Sequence, residues 1–162
     1  MTTLSGSGMT VDVPAGWEGR ISARPPATDP QSSMANAAVT PNAQATNAVL
    51  HVASFPLPPN TGDYGGGAVE QMTNKDLLVV LMEHGQQSVG TALFARRGMP
   101  KLTIDDVSPT CLQRLIEGQG GTQHFFTVNG RAFCLYVVFG SFARRGRTVP
   151  VINDLLKTVT IS

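Results

Sequence analysis

One segment constrains this chain more than any other: Phe125-Phe126-Thr127-Val128-Asn129-Gly130-Arg131-Ala132-Phe133-Cys134-Leu135-Tyr136-Val137-Val138-Phe139. Asn-Gly between two β-rich runs predicts a two-residue hairpin turn, because both turn residues must take positive φ. Val128 then faces Arg131 and Phe126 faces Phe133. One side of the hairpin carries Phe126, Val128, Phe133, Leu135, Val137 and Phe139, and the other carries Phe125, Cys134, Tyr136 and Val138. Both sides are apolar, so the sheet needs cover on both faces. Either helices supply that cover or one face meets a partner.

Other strands follow from the same period of two. Met9, Val11 and Val13 alternate with Thr10 and Asp12, and Pro14-Ala15-Gly16-Trp17 ends the run. Glu18 to Arg24 returns as a short strand with Ile21 and Ala23 inward. Residues 25–46 hold no apolar period and a single charge, Asp29, which predicts a long flexible loop within the domain. Ala48 to Phe55 is strand-like and stops at Pro56. Leu77 to Met82 is apolar on both alternations, as in a strand buried on both faces, and Thr91 to Phe94 reads as a further short strand. Between them, Val69 and Met72 are spaced for a single helical turn.

Two helices are expected. At the C-terminal end, Thr148 is placed to cap, Pro150 falls in the first turn, and Ile152, Leu155, Leu156 and Val159 form one apolar stripe, followed by a last strand at Thr160-Ile161-Ser162. The other begins at Ser108-Pro109 and carries Leu112, Leu115 and Ile116 until Gly118 breaks it. With 17 Gly and 11 Pro the chain is no coiled coil or helical bundle, and at 162 residues a single α/β domain over 1–162 is expected.

The stretch Val11-Asp12-Val13-Pro14-Ala15-Gly16-Trp17, together with Val151 to Ile161, resembles the PsbP-like superfamily. This group includes photosystem oxygen-evolving accessory proteins, a Ran-binding nuclear-transport factor and bacterial envelope-associated relatives. The resemblance covers about 20 residues. It implies an α+β fold, an α-β-α sandwich around a mainly antiparallel sheet, and a non-enzymatic docking role. No binding residue carries over from it.

Charge narrows the function classes. Lys and Arg total 12 against 11 Asp and Glu, a formal net charge of +1. Within residues 108–162, six Lys or Arg stand against two Asp or Glu, most of that excess being Arg144, Arg145 and Arg147 in a glycine-flanked loop. This field is too small for a nucleic-acid surface, which commonly neutralises about six to ten phosphates. The longest apolar run, Leu77 to Met82, has six residues where a membrane helix needs about twenty. The start shows no signal peptide, so a cytoplasmic protein is the default unless a leader was removed. Nine of the 12 basic residues are Arg, a usage that suggests a bacterial GC-rich genome.

Each catalytic arrangement has a plainer reading beside it. Cys111 or Cys134 could act as a thiolate activated by His51, His84 or His124, Cys111 being the approachable one. The plainer reading is two small buried side chains, with a disulfide as the other alternative. The histidines show no metal-ligand spacing with Asp63, Asp105 or Asp106, and Gly65-Gly66-Gly67 and Gly118-Gln119-Gly120-Gly121 lack the context of a phosphate loop. Asp105-Asp106 reads as a turn or helix-entry charge. No catalytic residue, cofactor, metal or small-molecule ligand is identified.

What remains are contact residues: Arg96 and Arg97, Arg144, Arg145 and Arg147, whose forks suit carboxylates, and Trp17, either an exposed anchor or a plug at the core's edge. The expected function is a non-catalytic protein-interaction or docking module, binding another protein or itself, in a cell-envelope or multi-subunit assembly. The alternatives are a structural subunit of a phage or secretion-type particle and, behind it, a cysteine-dependent enzyme.

Overall fold

The computed structural model describes residues 1–24 and 47–162. The expected long loop at 25–46 lies outside these residues. The described part is an α+β fold, mostly sheet, with eight strands in two antiparallel sheets. A three-stranded sheet has the order β1 (Thr2–Gly6), β2 (Met9–Val13), β8 (Thr160–Ile161). A five-stranded sheet has the order β3 (Glu18–Arg24), β4 (Asn47–Ala53), β5 (Leu77–His84), β7 (Arg131–Phe139), β6 (Gly120–Val128). Among the described residues one α-helix, α1 (Arg145–Lys157), accompanies them.

The hairpin β6–β7 forms in the register set by its turn. Val128 pairs with Arg131 and Phe126 with Phe133, while Asn129 and Gly130 sit at φ 49° and 72°. Both sides are buried, by different layers. On the first face, Phe126, Phe133, Leu135, Val137 and Phe139 pack with alternate residues of β4 and β5 against β2, Ile161 and the stripe Ile152, Leu155 and Leu156 of α1. The rings of Phe126 and Phe133 stack with centroids 5.8 Å apart. On the second face, Tyr136 and Val138 join Val49, Leu78, Val80 and Met82.

Irregular chain covers this second face. Phe55, Leu57, Ala68 and Val69 lie on it, with Leu112 and Ile116 beside them. Two β3 side chains hold the first of these segments: Glu18 Oε2 accepts from Leu57 N at 2.6 Å, and Arg20 Nη1 donates to Pro58 O at 3.0 Å. The expected helix from Ser108 does not form; residues 107–119 are turns and coil. Leu115 is exposed; Leu112 and Ile116 pack on the second face, Ser108 and Gly121 exchange two backbone bonds of 2.9 Å, and Gln113 N donates to the Tyr136 hydroxyl at 2.8 Å.

Other expectations shift in detail. Thr91–Phe94 holds a 3₁₀ turn, Ala92–Phe94, whose Phe94 meets Phe125 edge to face at 5.4 Å. Val69–Gln71 is likewise one 3₁₀ turn. Ile21 faces the core as expected, but Ala23 is exposed. Helix α1 begins at Arg145, so Thr148 lies inside it and its hydroxyl donates back to Arg144 O at 3.2 Å; Pro150 is the helix's sixth residue. Strand β1 escaped prediction because Leu4 is its single large apolar residue. A turn with Ser7 at φ 51° and Gly8 at φ 75° folds it onto β2.

Candidate functional site

Eight of the arginines divide into two sets. Arg131 donates to both carboxylate oxygens of Glu83, Nε to Oε2 and Nη2 to Oε1, each at 2.8 Å. Arg114 pairs with Glu70 at 2.7 Å, and Arg20 binds the Leu57–Pro58 carbonyls. Arg145 lies over the Phe142 ring at 3.9 Å and donates to Phe142 O, which gives it a structural role. The second set is Arg96, Arg97, Arg144 and Arg147. All four are exposed, and among the described residues none pairs with a carboxylate. The Arg96 guanidinium lies 3.5 Å from His124 Nδ1.

Their setting corrects the sequence reading. Arg144 to Arg147 lie on no loop: Phe142–Arg144 is a 3₁₀ turn and Arg145 opens α1. Cations at a helix N-terminus oppose the backbone dipole by roughly 0.3–1 kcal/mol each, so intrachain stability does not account for their position. Arg97 belongs to the segment that flanks β6, bridging Thr127, with Gly98 N donating to Thr127 O at 2.9 Å. Trp17 is half-buried against the first-face core, held by a Trp17 N to Pro14 O turn bond of 3.0 Å. It plugs its own core's edge.

Each histidine has a local role. His51 is buried, its Nε2 at 3.1 Å from Gly62 O, and burial pulls its pKa below the usual imidazole value. His84 packs beside Phe94 and Phe125. His124 Nε2 lies 3.1 Å from Thr122 Oγ1 and 3.9 Å from Asp106 Oδ2; burial lowers its pKa, against the pull of Asp106. Because Arg96 donates to Nδ1, the proton of neutral His124 sits on Nε2 and points at Thr122. Asp106 closes a capping box with Thr103, accepting from its N at 2.7 Å and its hydroxyl at 3.0 Å, which makes it the helix-entry charge expected. No group of three potential metal ligands occurs among the described residues.

Both cysteines are free thiols. Cys134 is buried, accepts from Gln123 Nε2 at 3.3 Å, and burial pushes its thiol pKa up. Cys111 is partly exposed.

One cleft was not foreseen. It measures about 340 Å³ and opens on the second face between the 62–70 and 112–119 segments, with neither cysteine nor histidine in its lining. Its floor is Tyr136 and Val138 of β7, and Gln119 lies in its wall. The sequence signal was there, a polar residue between Gly118 and Gly120, but the glycines read as a plain turn.

No family model, curated protein or solved structure matches this chain. No helix among the described residues is long and apolar enough to cross a membrane.

Proposed function

We propose that this chain is a non-catalytic docking module that engages an acidic protein surface through Arg96, Arg97, Arg144 and Arg147. The observation that carries this reading is the division of the arginines. Arg20, Arg114, Arg131 and Arg145 are tied into the fold, while these four face solvent with no carboxylate beside them among the described residues. Guanidinium forks bind carboxylates bidentately, and a partner's acidic side chains would also relieve the adverse dipole at the start of α1.

The PsbP-like kinship belongs to the same proposal. Its support is the Pro14-x-Gly-Trp turn and the path of α1 into β8, which returns beside β2 through Met9 and Ile161. A docking role without catalysis suits that kinship.

Capture from a lysate of the native host, with sedimentation at several concentrations, tests the reading. Wild-type protein should retain a partner or self-associate, and the double variants R144E/R147E and R96E/R97E should lose that association while melting as wild type does. A monomer that captures nothing, or charge reversal without effect, overturns it.

A further inference from the structure

We propose that the cleft on the second face is a binding site for a small uncharged carboxamide. It is separate from the arginine surface and goes beyond the docking role.

The cleft's polar groups define the ligand. Gln119 is 4% exposed; its Nε2 donates to Val69 O at 2.9 Å, and its Oε1 has no hydrogen-bond partner among the described residues. Flipping the amide would set carbonyl against carbonyl at Val69, so the orientation is fixed and the unpaired atom is an acceptor. A buried acceptor left unpaired costs about 1–3 kcal/mol, which a ligand N–H would recover. Tyr136, 2% exposed, accepts from Gln113 N–H and keeps its own proton, which none of the described residues accepts. Burial pushes the phenol pKa up, so this group remains a donor. The two buried polar side chains of the lining, Gln119 and Tyr136, therefore supply an acceptor and a donor, the complement of an amide.

Charge and shape fix the rest. The charged groups of the lining, Glu70 and Arg114, neutralise each other at 2.7 Å, which disfavours an ionised ligand. The Tyr64 ring, set edge to face with Tyr136 at 5.3 Å, joins Leu112 and Val138 as apolar wall. At about 340 Å³ the cleft is at the small end of the roughly 300–1,000 Å³ typical of small-molecule sites.

Titration of ¹⁵N-labelled full chain with benzamide tests this, with benzoate and methyl benzoate as the charged and donor-free analogues. Benzamide should shift the amides of Gln113 and Gln119 and bind about ten-fold tighter than either analogue. Q119M, which keeps length and loses the carbonyl, should weaken benzamide about ten-fold. Should Q119M fail to fold, Y136F provides the same reading, with a several-fold loss expected. No shift at the solubility limit of benzamide, equal binding of the three probes, or unchanged affinity in a folded variant overturns the proposal; the carbonyl of Gln119 then holds a buried water only.

Discussion

Arg131 of β7 grips Glu83 of β5 through two parallel 2.8 Å bonds, with both side chains about one-fifth exposed. The same guanidinium also donates to Ser162 O and Ser7 O, so one side chain ties the hairpin to the C-terminus and to the β1–β2 turn. Glu83→Gln should cost about 1–2 kcal/mol, a partly screened bidentate pair. Arg131→Met should cost more, because it also releases the two carbonyls. Urea unfolding of both variants checks this; equal losses would show that the carbonyl bonds contribute nothing.

Stability should fall as the solution is acidified below about pH 6.5. His51 and His124 both have folded pKa values below the imidazole reference, so between that reference and the folded values the unfolded chain binds more protons. Each site then lowers stability by up to about 1.4 kcal/mol per pH unit, and contributes no slope above that range. Urea midpoints measured from pH 8 to pH 5 should trace this, with a flatter profile in His51→Gln. A wild-type profile level from pH 8 to pH 5 would contradict the burial of both rings.

The turn at Asn129 should be sensitive to substitution. Its φ of 49° is adverse for most side chains, and its Nδ2 donates to Ile161 O, linking the hairpin tip to β8. Asn129→Ala should therefore lose about 1–2 kcal/mol, and Asn129→Gly distinctly less. Thermal melts of the pair separate the backbone cost from the lost bond.

The thiols should differ in access. Iodoacetamide should modify Cys111 in the native protein and leave Cys134, which is fully buried, until denaturant is added. Intact-mass spectra before and after urea give the stoichiometry, one adduct and then two. Native labelling of Cys134 would mean that the 107–119 segment leaves the sheet easily.

The residue pattern specifies some parts of the molecule and leaves others open. The β6–β7 hairpin was legible to the residue, since a two-residue turn fixes register and register assigns every side chain to a face. Leu77–Met82 was legible because a strand buried twice has no polar alternation. The failures lie where few residues decide. Leu112, Leu115 and Ile116 have helical spacing, yet Leu115 is 69% exposed and the chain settles on Leu112, Ile116, the Ser108–Gly121 bridge and a tyrosine bond. Thr91–Phe94 looks like strand, but Phe94 reaches its ring partners from a 3₁₀ turn. At the candidate sites, the arginines could be named in advance, whereas their sorting into engaged and unengaged sets depends on contacts as remote as Arg131 with Ser7. The cleft joins residues more than 70 positions apart, Gly62 to Val138, and no local pattern marks it.

The unequal cover of the central sheet has a kinetic consequence. Beneath α1 the cover is an interlocked helix and three strands, but over Tyr136 and Val138 it is coil fastened at a few points such as Glu18 to Leu57 and Gln113 to Tyr136. Such a flap can lift without unzipping β5 from β7, so its amides should exchange with deuterium long before those of the strands below. The molecule has a hard side and a breathing side, and entry to its interior runs through the second.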